Sequence, residues 1–167
     1  MTIRDETTGD RKVIREVIAI AFCSAAHSSQ REGELVDALR AAGALAVSLV
    51  AEEDGKVVGH IAFSPVTING VNEGWYGLGP VAVLPALQGR GLGRALIEAG
   101  LERIRSLGAG GCVLLGEPEF YQRFGFRADP RLKLSGPPPE YFMALPLATG
   151  RAAPEGEVRY HTAFDDV

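Results

Sequence analysis

Cysteine is scarce in this chain: Cys23 and Cys112 are the only two among 167 residues, far apart and in no C-x-x-C pair. That excludes a disulfide framework and a thioredoxin-like redox motif. Each lies among apolar neighbours, so both are expected to be buried, reduced small hydrophobes, with a single structural disulfide left open. No apolar run reaches 18 residues, and the opening MTIRDETTGDRK holds no apolar signal core. Neither a spanning helix nor a secretory leader is expected, no membrane partner is implied, and the cytoplasm is the default compartment. Positive charge is not in excess either. A formal net charge of −4, with both signs interspersed, argues against a dedicated nucleic-acid binder, which would carry a basic face. A local basic pocket for a phosphate-bearing ligand stays open. The sequence has no H-E-x-x-H and no cluster of Cys and His, so no metal site is expected. Internal repeats and low-complexity tracts are missing as well.

What is present suits one soluble domain spanning residues 1–167, with 46% apolar and 23% charged residues. A chain of this length buries roughly two-thirds of its unfolded surface, enough for a real core. TIRDE reads as a short strand. TTGDRKVIREVIAIAF spaces Val13, Val17 and Ile20 at helical intervals, with Thr8 or Asp10 as N-cap. SSQREGELVDALRAAG repeats the pattern through Leu35, Ala38 and Leu39 and stops at Gly43, and the polar connection between the two helices carries His27. Two β-branched runs, LAVSLVAEE and KVVGHIAFSPVTI, meet at Asp54-Gly55. Asn69-Gly70 offers a second tight turn into VNEGWYGLGPVAVLP, a third antiparallel strand. Pro80 falls inside that strand and has no N–H for a ladder, so the strand is expected to be bulged or unpaired there. GLGRALIEAGLERIRSLG is an amphipathic helix ended by Gly108, GCVLLG a buried strand, and EPEFYQRFGF a two-turn helix stopped by Gly125. YFMALPL and EVRYH add two more strands. The order β-α-α-β-β-β-α-β-α-β describes a mixed α/β (α+β) layer domain.

The junction PVAVLPALQGRGLGRALIEAG, residues 80–100, carries the chemistry. A dinucleotide fingerprint G-x-G-x-x-G fails, because Arg94 or Leu96 stands where its third glycine is required. A Walker loop fails for want of a lysine. What remains is Q-x-x-G-x-G, formed by Gln88, Gly91 and Gly93 with Arg90 and Arg94 interleaved. Missing Cβ atoms at Gly89, Gly91 and Gly93 let backbone N–H groups approach a ligand. Those groups open a helix, lack intrahelical partners and sit at its positive dipole end. The result is an anion cradle suited to a pyrophosphate, to which the arginines add charge. The plainer alternative is a strand–helix connector with solvated arginines.

At these residues the chain resembles the GNAT superfamily of N-acetyltransferases. VAVLPALQGRGLGRALI is similar to its acetyl-CoA motif, [QR]-x-x-G-x-[GA] after a bulged strand, and KVVGHIAFSPV to the strand before it. VLLGEPEFYQRFGF resembles the second cofactor motif with its Y-x-x-x-G-F ending. The combination, together with the tail VRYHTAF, is similar to a bacterial YhbS-like branch of that superfamily.

The resemblance implies a central, mostly antiparallel, twisted sheet of six to seven strands with a splayed central strand, flanked by about four helices. It implies acetyl-CoA as co-substrate, no metal, an amine acceptor, and a homodimer formed through the sheet edge near the C-terminus. Backbone groups of Val81, Ala82 and Val83 would hold the pantetheine arm, one N–H polarising the thioester carbonyl. Gln88, Gly89, Arg90, Gly91, Leu92, Gly93 and Arg94 would hold the pyrophosphate. Phe120, Tyr121 and Phe124 fall in the second cofactor motif, and Tyr121 matches the tyrosine that protonates the departing thiolate. The rival reading of Tyr121 is aromatic packing with Phe120, Phe124 and Phe126.

The base is not fixed by any motif. Glu34 is expected to face inward from the second helix, and Glu117, His27 and His161 are further candidates; each could equally be a solvated or capping residue. His60, within a strand, reads as a packing histidine with its hydrogen bonds satisfied. The acceptor pocket is expected from the first two helices and the loop DPRLKLSGPPPEY, where Arg131, Lys133 and Tyr141 either read a substrate carboxylate or are solvated. Two functions stand at this point: acetyl transfer to a primary amine of a small molecule or protein, or a catalytically silent acyl-CoA-binding module.

Overall fold

The computed structural model describes every residue except His27, Thr149, Arg151 and Val167, and Asp166 along its backbone only. Strand β1 (Thr2–Asp5) leads through a 3-10 turn (Thr8–Asp10) into α1 (Arg11–Phe22) and α2 (Glu32–Ala41). Four strands follow: β2 (Val47–Glu53), β3 (Lys56–Pro65), the two-residue β4 (Thr67–Ile68) and β5 (Trp75–Val83). Next come α3 (Leu92–Ser106), β6 (Gly111–Leu115) and α4 (Pro118–Tyr121), which a 3-10 turn extends over Gln122–Phe124. After these lie β7 (Leu132–Lys133), β8 (Phe142–Pro146), β9 (Gly156–Arg159) and a 3-10 turn over Thr162–Asp166.

Six strands form the main sheet in the order β1-β2-β3-β5-β6-β8, antiparallel throughout except for β5 beside β6. The expected mixed α/β architecture with a mostly antiparallel sheet is the one observed. A small second sheet, β4-β9-β7, was not anticipated. Its strands β4 and β7 have two residues each, too few to show a period-2 pattern.

Asp54 and Gly55 (φ 51° and 75°) turn β2 into β3, and Asn69 and Gly70 (φ 53° and 78°) make a second turn of the same hand. The second turn closes β4 onto Val71 by an Ile68–Val71 bridge, so β5 starts only at Trp75, later than the sequence pattern suggests. At Asp10 the N-terminal turn is held from two sides. Its carboxylate accepts the Thr7 N–H (2.7 Å) and hydroxyl (3.0 Å), and Arg4 closes on it at 2.7 Å.

The sheet separates two apolar layers. Leu49, Ile61, Phe63 and the α3 residues Leu96, Ile97 and Ile104 fill one. Val50, Ala62 and Ala82 meet Ile14, Ile18 and Val36 of α1 and α2 in the other. His60 points into this second layer, fully buried, with Nε2 2.8 Å from Ser48 Oγ. Among the described residues its Nδ1 has no partner, so the histidine is a packing residue but is only half satisfied. Burial holds its pKa down to about 4. Cys112 is buried as expected, whereas Cys23 is exposed. Cys23 is the C-cap of α1, one residue past the helix whose inward stripe is Ile14, Val17 and Ile18.

Candidate active site

Strands β5 and β6 are paired in parallel only at Trp75–Gly111, Tyr76–Cys112 and Gly77–Val113. Beyond Gly77 they part, β5 staying with β3 and β6 with β8. The fork coincides with a slip in the β3–β5 register: Phe63 faces Leu78 and Ile61 faces Val81, leaving Gly79 and Pro80 opposite Ala62 alone. This is the expected bulge at Pro80, and the Gly79–Pro80 peptide is cis. Leu84 N–H donates to Val58 O (3.0 Å). That bond sets the antiparallel alternation, so Ala82 turns its backbone groups to His60 on β3, and Val81 and Val83 turn theirs into the fork.

At the far end of β5 a 3-10 turn over Pro85–Leu87 reaches the glycine segment. Gln88 Nε2 donates back to Val83 O (3.2 Å), tying the turn to the strand. Gly89 and Gly91 have φ of 78° and 84°, and nothing lies within 4 Å of where either Cβ would be. The need for glycine here is conformational, and the space left in front of the turn is open. Gly91 is the N-cap of α3, and the first helical bond is Ala95 N–H to Gly91 O (3.0 Å). The N–H groups of Leu92, Gly93 and Arg94 precede it and have no intrahelical acceptor. Both arginines are exposed. Arg94 pairs with Glu98 at 2.9 Å, and Arg90 lies 4.0 Å from Glu53. This end of β5 fits a pyrophosphate: free donors, a helix dipole and two reorientable cations meet in open space.

On the opposite bank, β6 runs into α4 and Tyr121. The ring of Tyr121 stacks edge-on with Phe120 (5.0 Å between centroids) and Phe126 (6.1 Å) and also lines the cleft between the strands. Its place depends on Gly116, where a Cβ would come 2.3 Å from Tyr121 Cε2. Burial, with Cys112 adding a smaller push, raises the phenol above its ordinary pKa, so it keeps its proton at neutral pH. Phe124 packs against Phe120 (5.6 Å), over which Arg123 also lies at 4.8 Å.

The fork opens into a cleft of about 750 Å3. Leu78, Pro80 and Val81 form its floor, Phe22, Glu32 and Leu35 one wall, and Leu134, Ser135 and Pro137 another. The first two helices and the loop before β8 thus converge there as the sequence suggests. Two further wall residues, Tyr160 and Phe164, come from the C-terminal segment and stack at 4.9 Å. Tyr160 lies over Gly77, where a Cβ would come 2.5 Å from its ring.

Of the expected bases, Glu34 is exposed on α2, paired with Arg31 at 2.9 Å, and does not line the cleft. Glu32 does. It is half-buried and accepts the Ser28 hydroxyl at 2.6 and 2.8 Å and the Ser29 hydroxyl at 3.4 Å. His161 is outside the lining, its Nδ1 accepting the Ala163 N–H at 3.0 Å. Glu117 is exposed beside α4 and outside the lining as well, and His27 lies outside the described residues. Arg131 is paired with Asp129 (2.9 Å), and Lys133 faces a separate groove. Tyr141 is exposed and lines neither. Among the described residues no three His, Cys, Asp or Glu side chains gather to hold a metal ion. No described helix is long and apolar enough to cross a membrane.

Comparison with known proteins agrees with this geometry. Residues 44–128 match the acetyltransferase (GNAT) domain family. The uncharacterized N-acetyltransferase YhbS of Escherichia coli strain K12 is 39% identical over 127 residues, covering 75% of this chain and 73% of that one. A GNAT family acetyltransferase of Brucella melitensis, solved in complex with acetyl-CoA, is 55% identical and superposes with a TM-score of 0.87 over 98% of this chain and 97% of its own. E. coli YhbS, solved in complex with CoA, gives a TM-score of 0.89 at 35% identity, covering 98% of this chain and 91% of its own. The splayed β5–β6 fork, the glycine turn capping α3 and the likeness to acetyl-CoA- and CoA-bound relatives lead to one assignment: this chain belongs to the GNAT family of N-acetyltransferases.

Proposed function

We propose that the chain transfers an acetyl group to a primary amine by direct attack within the β5–β6 fork. The observation that carries this is the shared cleft: unpaired backbone of β5, the protonated Tyr121 and the carboxylate of Glu32 all face one space. When bound, acetyl-CoA supplies an activated acetyl thioester, whose C–S bond is exchanged for a C–N bond to the amine. Gly89 through Arg94 hold the diphosphate through the free N–H groups of α3, with Arg90 and Arg94 turning to add charge. Val81 and Val83 present amides along the pantetheine path, and a donor there that meets the developing oxyanion contributes about 3–4 kcal/mol to the rate. Ala82, committed to β3, positions them. Tyr121 keeps a proton on Oη for the leaving sulfur, and Glu32 takes the proton the ammonium must lose before it attacks. Phe120 and Phe124 hold Tyr121 in place.

Cytoplasmic residence belongs to the same reading, supported by free cysteines at positions 23 and 112. Calorimetric titration with acetyl-CoA, with NADH as control, followed by a thiol-release screen against amines, tests the proposal. Micromolar binding of acetyl-CoA alone with thiol release by an amine is expected; no binding would sink it. Tyr121→Phe should slow turnover about 10²-fold while leaving acetyl-CoA affinity close to that of the parent.

A further inference from the structure

The acceptor side of the cleft is electrostatically one-sided. Among the described residues Glu32 is its single charged side chain, and no Lys, Arg or His lines it. Cations on surrounding elements have, among the described residues, other partners: Arg31 pairs with Glu34 (2.9 Å), Arg15 with Asp37 (2.9 Å) and Arg131 with Asp129 (2.9 Å), and Arg123 lies over Phe120 (4.8 Å). Lys133 opens onto a second groove, of about 730 Å3, across the strap formed by Leu134 and Ser135. Among the described residues, the hydrogen bonds to Glu32 come from the hydroxyls of Ser28 and Ser29. A carboxylate held by neutral hydroxyls at a cleft wall would gain a charge-assisted hydrogen bond from an entering ammonium.

Most of the remaining wall is apolar, with hydroxyl-bearing side chains at Ser29, Ser135, Tyr121 and Tyr160. Phe22, Leu35, Leu134 and Phe164 line the cleft together with the acid, and Leu115, also in the lining, keeps 45% of its surface exposed although it sits on a sheet strand. That uncovered surface is available to the body of a ligand, and the cleft volume falls in the range of small-molecule sites.

We propose that the acceptor is a small cationic amine on an apolar, aliphatic or aromatic body with no carboxylate or phosphate beside the nitrogen, and that Glu32 determines this specificity. The inference rests on the acetyltransferase reading of the same cleft. An amino acid in this pose would bring its carboxylate next to Glu32 with no cation to meet it, so like-charge repulsion and desolvation both oppose its entry.

The test uses matched pairs: phenethylamine against phenylalanine, and tryptamine against tryptophan. Each is titrated calorimetrically into the protein holding coenzyme A and assayed for thiol release with acetyl-CoA. Each amine should bind, and its kcat/KM should exceed that of its amino acid by at least about tenfold. Glu32→Gln should lower kcat, as loss of the base requires, raise KM for the amines by about tenfold and shrink that discrimination, with the acetyl-CoA Kd unchanged. Leu134→Arg should move the preference toward the amino acids. Equal or better binding and turnover of the amino acids would overturn the inference. So would the absence of amine binding in protein that still binds acetyl-CoA, an outcome that leaves the acetyltransferase reading standing. Failure to bind acetyl-CoA would instead strike that reading first.

Discussion

Gly116 and Tyr121 are in contact across the start of α4: a Cβ on Gly116 would lie 2.3 Å from Tyr121 Cε2 and 2.8 Å from Cδ2. The ring can approach the end of β6 only because residue 116 has no side chain. Gly116→Ala should therefore displace the ring, since the neighbouring Phe120 and Phe126 leave it little room to yield. The expected outcome is a fall in kcat of about 10²-fold, similar to Tyr121→Phe, with little change in acetyl-CoA Kd. Steady-state kinetics beside calorimetry check it; an unchanged kcat would mean that the ring's position is immaterial.

Gly77 and Tyr160 repeat the relationship on the other bank of the fork. A Cβ at residue 77 would come 2.5 Å from Tyr160 Cε1 and 3.2 Å from Val66 Cγ1. Gly77→Ala should push Tyr160 into the acceptor space and raise the amine KM by about tenfold. The acetyl-CoA Kd, set at the distant glycine turn, should hold. Equal losses in both would show general misfolding of the fork instead.

Gly91→Val separates conformational strain from packing. No atom lies within 4 Å of the added Cβ, but φ of 84° is unfavourable for a β-branched residue. The strain should cost about 1–2 kcal/mol of stability, visible as a lower Tm in a protein that still folds. Acetyl-CoA affinity should drop at least about tenfold, because the N–H groups that open α3 lose their alignment. Retained affinity in the folded variant would remove the glycine turn from the cofactor site.

His60 makes stability depend on pH. Its folded pKa is about 4, against 6.5 for the free side chain. Between those values the unfolded chain binds a proton that the folded chain refuses, so stability falls as pH drops from about 6.5 toward 4 and levels off below. The loss attributable to this one group is about 3 kcal/mol. Denaturant titrations across this range should show a shallower decline for His60→Gln than for the parent. Parallel profiles would mean that the burial of His60 does not suppress its protonation. Asp10 acts lower on the scale. Its bonds from Arg4, foremost, and from Thr7 hold its carboxyl below the usual range despite burial, so its stabilising contribution is present above about pH 4 and disappears only under strong acid.

The sequence alone settled what depends on neighbours along the chain. The four helices, the two turns at Asp54-Gly55 and Asn69-Gly70, the bulge at Pro80 and the glycine turn before α3 all follow from local rules. Apolar spacing, the sign of φ and the missing N–H of proline act within a few residues, so they can be read in one dimension. What the fold decided concerns which distant groups share a space. Glu32 and Glu34 sit two positions apart on one helix, about 200° around its axis, and only the docking of α2 turns the first toward the cleft and the second to solvent. Tyr160 reaches the fork because the chain returns through the small β4-β9-β7 sheet, in which β9 shows in the sequence but its partners β4 and β7 are too short to have a pattern. Gly116 and Gly77 look like any loop or strand glycine until the rings that lie against them are in place. The exposure of Cys23 belongs here too, because burial is set by what the rest of the chain packs over a residue and not by its immediate neighbours.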